Sequence, residues 1–371
     1  MSFLKKCLKN ILIHIYNFAW FKFIYATLLG ILQLDFFSTK RLSFVYDATI
    51  LQDGMGAQIQ RIISLKAISD ELRCDFEPFE ILNFDEAIFN DFDKIKKRAI
   101  IDKWENLLLI ETYKNNRFRL SINFTSSRII WLYLIRAISK LTFIPIRVKF
   151  AFPAPLIDKS NHIYEFCKNY FNQSAIKSTP NEFLNIVVHI RRGEVLLSQF
   201  RFRYLPFDYY EDILSSIIPI LDENNIKYKA TVLIEKITNP YLSNKSEKIV
   251  KSILDDANNP NLRLLENGDY LLVDEPLDEV KYPFLGSCNL KNNNDAFSDF
   301  TDMCESDILI ISKSSFSFTA GLLNRKALKI FPTFWHSPPD SWVNADKISN
   351  DARIRITDLV SRKLSGNDKF D

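Results

Sequence analysis

The runs NIVVHI (Asn185 to Ile190), YKATVLIEK, DILIIS (Asp307 to Ser312) and KALKIFP are short, apolar and rich in β-branched residues, and helix-like sequence separates several of them. Runs of this kind read as strands, and strands that alternate with helices imply a parallel sheet covered on both faces. LPFDYYEDILSSIIPIL reads as a helix started by Pro206 and Asp208, DAFSDFTDMCESD as a second, and SSFSFTAGLLN as a loop that opens a third. The same grammar recurs earlier. RLSFVYDATILQ (Arg41 to Gln52) reads as a strand, DGMGAQ as a sharp turn, and the next residues as a helix carrying Ile59, Ile62, Ile63 and Ala67. Between Glu71 and Asn181, short apolar segments alternate with helix-like stretches, which suggests further α/β layers with a helical insertion. The expectation is an α/β chain with two Rossmann-type domains, 41–182 and 183–345, preceded by an apolar segment 1–40 and followed by a polar helix or tail 346–371. Ligands of such folds sit at the carboxyl ends of strands, which is where HIRRGE and SSFSF fall.

Composition narrows the function classes. With 371 residues, 47% hydrophobic content and a net charge of +3, the chain is globular and carries too little charge for a wholesale nucleic-acid binder. Five scattered cysteines form no CxxC pair and leave an odd one, which argues for reduced thiols in a reducing compartment rather than a disulfide framework or zinc site. The segment Asn10 to Leu34 is apolar, follows Lys5, Lys6 and Lys9, and exceeds the roughly 20 residues that cross a bilayer. Lys22 lies in its middle, and a lysine at bilayer centre costs about 2.5 to 3.5 kcal/mol, which favours a membrane-surface or core helix over a spanning one. RIIWLYLIRAISKLTFIPI, from Arg128, has two readings, an amphipathic helix on an anionic membrane and a buried amphipathic helix.

Three stretches carry chemistry. In DGMGAQ, glycines between strand and helix let backbone N–H groups approach an anion or sugar; a plain tight turn would look the same, and neither a dinucleotide fingerprint nor a P-loop is present. In HIRRGE, Arg191 and Arg192 leave a strand at its carboxyl end, where guanidinium forks grip phosphate oxygens; the alternative is a surface pair bridged to Glu194. His189 reads as a structural hydrogen-bonding histidine more than as a base. SKSSFSF (Ser312 to Phe318) gathers four hydroxyls where a strand meets a helix, which suits either phosphate binding or capping by Ser314 or Ser315. A DxD at Asp91 and Asp93 has the form that holds Mg²⁺ or Mn²⁺ against a nucleotide diphosphate, but it sits in a polar helix-like stretch and reads as coincidence. HExxH and GxSxG are absent, and four histidines are too few for a multi-histidine centre.

DGMGAQIQ, HIRRGE, RYLPFDYY, and SSFSFTAGLLN with KIFPTFWH together resemble, in order and kind, the motifs of the bacterial α-1,2-fucosyltransferases and the wider fucosyltransferase superfamily, over Asp47 to His336. The resemblance implies a GT-B-like fold, two Rossmann-type domains facing each other across a cleft. It also implies a GDP-fucose donor, inversion at the anomeric carbon, and no cofactor or metal. By position, Arg191 is expected at the β-phosphate with Arg192 supporting it, and His189 near the guanosine. Ser314, Ser315, Phe316 and Ser317 are expected at the diphosphate or nucleotide, Asp299 at the guanine, and Gly54, Gly56 and Gln58 at the cleft. Three departures stand out: Ala57 occupies the GNQ asparagine position, Glu194 that of an aspartate, and IEKITN (Ile234 to Asn239) that of an SDD-like element.

The leading expectation is therefore a metal-independent inverting fucosyltransferase extending a surface glycan, such as a lipopolysaccharide or capsule repeat, at the cytoplasmic face of a membrane. Its partners would be a GDP-sugar donor and a glycan acceptor, with peripheral membrane contact. Arg191 would stabilise the leaving diphosphate, and Glu194 or Asp53 would serve as base. The alternatives are a non-catalytic nucleotide- or glycan-binding scaffold, a metal-dependent transferase using Asp91 and Asp93, and a type II membrane protein of the secretory pathway.

Overall fold

Parallel pairing organises both larger sheets, as apolar runs alternating with helices require. The computed structural model describes residues 42–46, 55–77, 102–104, 106, 120–124, 130–142, 145–150, 183–234, 238–241, 260–264, 266, 270–274, 276–292, 296–324, 326–336, 338–347 and 354–358. Two compact units result: Met1–Asp47, Leu65–Pro78 and Tyr113–Leu156 form the first, and Ala48–Ser64, Phe79–Thr112 and Ile157–Asp371 the second. The division falls inside helix α1 (Met55–Glu71), whose first half counts with unit 2.

Unit 1 holds a four-stranded sheet in the order β2-β1-β4-β3, with β1 (Leu42–Tyr46), β2 (Asp75–Phe76), β3 (Leu120–Phe124) and β4 (Ile146–Phe150). In β4 the buried Ile146, Val148 and Phe150 alternate with Arg147 and Lys149, the period of two that separates sheet faces. The Phe150 ring meets Phe44 at 5.3 Å and Phe124 at 5.2 Å between centroids, joining three strands in one aromatic core. Glu77, just past β2, accepts from the Ser43 hydroxyl at 2.5 Å and pairs with Arg147 at 2.6 Å, which ties β1 and β4 to the end of β2. The stretch from Arg128 supplies helix α2 (Ile130–Thr142), and its last isoleucine begins β4. Leu132, Arg136 and Ser139 are buried along one side of α2, whereas Trp131, Leu134 and Ile138 are exposed. No described helix is long and apolar enough to cross a membrane; the segment 10–34 lies outside the described residues.

Unit 2 is built on a six-stranded sheet in the order β10-β6-β5-β11-β12-β13. Its strands are β5 (Leu184–Ile190), β6 (Tyr228–Ile234), β10 (Asn289–Asn292), β11 (Ile308–Ile310), β12 (Leu328–Phe331) and β13 (Val343–Asn344). Counted along the chain this is 3-2-1-4-5-6, the doubly wound order whose reversal point, here between β5 and β11, is where such sheets take ligands. Leu184, Ile186, Val188 and Ile190 of β5 share a core with Ile213, Leu214, Ile217 and Leu221 of helix α3 (Phe207–Glu223). Each such side chain stabilises the fold by roughly 1.5 to 3 kcal/mol when fully buried. Pro206 holds the extended cap position of α3 and Asp208 lies in its first turn, where a negative charge complements the helix dipole.

Between β6 and β10 the chain adds a three-stranded antiparallel sheet, β7-β9-β8, from β7 (Thr238–Tyr241), β8 (Leu262–Leu264) and β9 (Tyr270–Val273). Helix α4 (Pro283–Gly286) follows, its Phe284 and Leu285 amides donating at 3.1 Å each to the Glu211 carboxylate of α3. Helix α5 (Ala296–Glu305) precedes β11, and helix α6 (Ser315–Leu323) follows it. Among the described residues Cys74, Cys288 and Cys304 form no disulfide.

Candidate functional site

Strands β5 and β11 are hydrogen-bonded neighbours, with Ile186 opposite Ile308 and Val188 opposite Ile310. The residues that follow each strand therefore emerge side by side at the reversal point: Arg191 and Arg192 from one, the serine loop Ser312–Ser315 from the other. His189, one residue before the end of β5, joins them through its Nδ1, 2.8 Å from the Ser312 hydroxyl. Burial first, and the charge of Arg191 second, lower its pKa to about 3, so the imidazole is neutral near neutral pH. That suits a structural bridge, and its ring also lies 6.0 Å from that of Phe316.

The two arginines point to different environments. Arg191 is partly exposed, whereas Arg192 has none of its surface in water. The Arg192 Nε donates to the Asp274 carboxylate, just past β9, in a salt bridge. Its Nη1 donates to the carbonyl oxygens of Arg191 and Leu205 at 3.0 Å each. The guanidinium carbon lies 4.6 Å from the Tyr204 ring centre and 4.5 Å from that of Phe207. Glu194 falls in the 3-10 turn Gly193–Leu196, of which only the backbone is described at that position.

Across the strand boundary, Ser314 is the cap of α6: its backbone is extended and its hydroxyl accepts from the Phe316 amide at 3.2 Å. Ser317 is buried, with its hydroxyl turned back to the Ser314 carbonyl at 3.4 Å, so it belongs to the helix interior. Ser315 is partly exposed, and its hydroxyl lies 2.9 Å from Nε2 of His336. The Trp335 indole also donates to that Nε2, at 3.1 Å. An indole only donates, so Nε2 is an acceptor in that bond, and on the other side of the ring the amide nitrogen Nε2 of Gln60 lies 3.4 Å from Nδ1. Burial lowers the His336 pKa to about 4, so the imidazole is neutral near neutral pH. The His336 ring stacks on Phe318 at 4.4 Å with 14° between planes.

Phe316 is the point where the remaining elements meet. A Cβ built on Gly56 would stand 2.3 Å from both the Cα and the N of Phe316, so the first turn of α1 touches the first turn of α6 backbone to backbone. Thr319 reinforces that contact, its hydroxyl donating to the carbonyls of Ser315 at 2.7 Å and Gly56 at 3.3 Å. Gln58 is buried in α1 and Ala57 half-buried. From the other side Phe300 packs on Phe316 at 5.2 Å and on Trp104 at 5.0 Å; Asp299, its neighbour in the first turn of α5, is half-buried. Asp53, Gly54, Asp91 and Asp93 lie outside the described residues. Among the described residues no group of three or more His, Cys, Asp or Glu side chains could hold a metal ion.

Of the expected residues, His189, Ser314, Ser315, Phe316 and Gly56 thus belong to one contact network at the ends of β5 and β11, the charge of Arg191 acts on His189, and Asp299 neighbours Phe300, which packs on Phe316. Sequence reasoning gave no separate role to Ser312, His336, Gln60 and Asp274. Ser312 and His336 lay inside stretches already singled out, whereas nothing local marks Asp274, 82 positions from the arginine it pairs with.

No known protein family's profile matches the chain, and no curated protein matches it in sequence. Solved structures give distant likenesses. POFUT1 in complex with GDP is 11% identical with a TM-score of 0.39, over 78% of this chain and 96% of that one. The E. coli heptosyltransferase WaaC with ADP-2-deoxy-2-fluoro heptose is 7% identical with a TM-score of 0.34, over 88% and 99%. A mutant of Arabidopsis thaliana FUT1 in complex with GDP is 11% identical with a TM-score of 0.31, over 87% and 76%.

Proposed function

We propose that the chain is an inverting, metal-independent glycosyltransferase of the GT-B type. In this reading it moves fucose from GDP-fucose to a hydroxyl of a glycan acceptor in surface polysaccharide synthesis at the inner face of a membrane. The observation that carries the proposal is the pairing, at the reversal point of the sheet, of the partly exposed Arg191 with the capped start of α6 and its partly exposed Ser315. A permanent cation and helix N-terminal amides together form a site for a diphosphate. An acceptor oxygen forms a bond to C1 of the sugar while the bond from C1 to the β-phosphate oxygen breaks, and the electron pair leaves with the diphosphate. Arg191 and the α6 amides meet that developing charge, and the acceptor's proton passes to a base, for which Glu194 and Asp53 are the candidates. The guanine and the fucose rest on the sequence resemblance, with Asp299 in the guanine role.

Thermal denaturation with a panel of nucleotides and nucleotide sugars tests the reading. GDP and GDP-fucose should raise the midpoint, by an amount equivalent to about 2.7 kcal/mol at a hundredfold excess over Kd, with or without EDTA. Stabilisation by UDP-sugars alone, or only with a divalent metal, would overturn the donor assignment and favour Asp91 and Asp93. Ala57, which removes an amide from the glycine-loop pattern, favours a second reading as a non-catalytic nucleotide-binding scaffold. Tight GDP binding without release of fucose to any acceptor or to water would support that one.

A further inference from the structure

The Arg192–Asp274 pair is sealed, with side-chain exposures of 0% and 2%. Burying two opposite charges loses so much hydration that well-packed apolar side chains of similar volume often serve stability as well or better. Stability alone is therefore a poor reason for the pair, and its geometry supplies another. One nitrogen, Nη1, binds the carbonyls of Arg191 and Leu205, the first residue after β5 and a residue just before α3, and so closes the loop 191–205 at both ends. Nε is turned to Asp274, which the antiparallel insertion β7-β9-β8 delivers to this spot. Tyr204 and Phe207 pack the guanidinium from the far end of the same loop.

We infer that Arg192 is a positioning residue: clamped by Asp274, it holds the Arg191 carbonyl, and with it the direction in which the Arg191 guanidinium leaves the strand. The two arginines then act in series, one on the ligand and one on its neighbour's backbone. The antiparallel insertion belongs to the site because it supplies the counter-ion. A lysine cannot replace Arg192, because the clamp uses a planar fork with two separated nitrogens aimed at three oxygens. The inference rests on the proposed diphosphate role of Arg191.

Three variants test it: Asp274→Asn, Arg192→Lys, and the apolar double variant Arg192→Met with Asp274→Leu. For each, the denaturation midpoint, GDP affinity by calorimetry, GDP-fucose turnover and amide hydrogen exchange across residues 191–205 are measured. The double variant is expected to keep a cooperative transition near the wild-type midpoint. Exchange across the loop should nonetheless rise at least tenfold, GDP should bind about ten times more weakly, and turnover should fall by about a hundredfold, the scale of an ångström of misplacement. Asp274→Asn and Arg192→Lys should shift the same readouts in the same direction. A double variant with wild-type exchange in the loop overturns the inference, whatever it does to the midpoint; so does wild-type GDP affinity in a variant whose loop has loosened. If the wild-type chain binds no GDP, the donor reading fails by itself, and the exchange measurement still decides whether the clamp orders the loop.

Discussion

At the end of β5 the protein places a permanent cation and backs it with a second arginine sealed inside; at the end of β11, one strand away, it places hydroxyls and helix amides, against which His336, from beyond β12, is held neutral. The first region holds charge and needs a scaffold that can bury a counter-charge. The second holds dipoles and needs only a cap and a few fixed protons. One consequence is that the two ends should answer differently to the same perturbations. Charge removal should act through the β5 end, whereas acid and small steric changes should act through the network that joins it to the β11 end.

The largest effect should come from Arg191→Ala, which removes a partly exposed cation. Transfer should fall by about a hundredfold to a thousandfold while the denaturation midpoint stays close to wild type, as initial rates and thermal scans would show. Unchanged turnover in a folded variant would end the assignment of this end to the diphosphate.

Acid comes next. His189 and His336 have folded-state pKa values of about 3 and about 4, below the ordinary value of 6.5 that they regain on unfolding. As pH falls below 6.5 the unfolded chain takes up protons that the folded one refuses, so stability is lost by up to about 1.4 kcal/mol per pH unit for each histidine. The loss slows only near pH 4 for His336 and near pH 3 for His189. Urea titrations at pH 7 and pH 5 should show the drop, and His189→Asn should make it shallower. Equal slopes in variant and wild type would show that His189 is not held neutral by its surroundings.

Gly56→Ala tests the steric side. The added methyl meets the Phe316 backbone, which cannot swing away as a side chain could, and overpacking of this kind costs about 1 to 3 kcal/mol. GDP affinity should fall with the urea midpoint, because the displaced segment is the first turn of α6, whose amides the proposed diphosphate site uses. The smallest effect is expected for Ser314→Ala, where loss of the cap costs about 1 kcal/mol, visible in the midpoint.

Unit 2's strands were legible because β-branched apolar runs such as DILIIS and NIVVHI leave little else for their residues to do, and α3, α5 and α6 followed the polar or proline signals before them. The serine stretch admitted two readings, and the hydroxyls divide between them: Ser314 caps, Ser317 faces inward, and Ser315 stays partly exposed. Strand order was not legible, since it depends on which edge each crossover joins. The β7-β9-β8 insertion was missed for a related reason: its strands are short, one contains Pro240, and their partners are set by tertiary pairing. The differing environments of Arg191 and Arg192 were hidden as well, because the pattern RR looks the same whether the second guanidinium faces water or an aspartate far along the chain.

Gly56 and Gln60 are four residues apart on α1, hence on one helical face; the first meets the Phe316 backbone and the second His336. Inserting or deleting one residue between them would turn one contact away from the other by about 100°. What this part of the chain must preserve across mutation is thus a distance along the sequence: side chains around it can drift, but the helix can be neither lengthened nor shortened there.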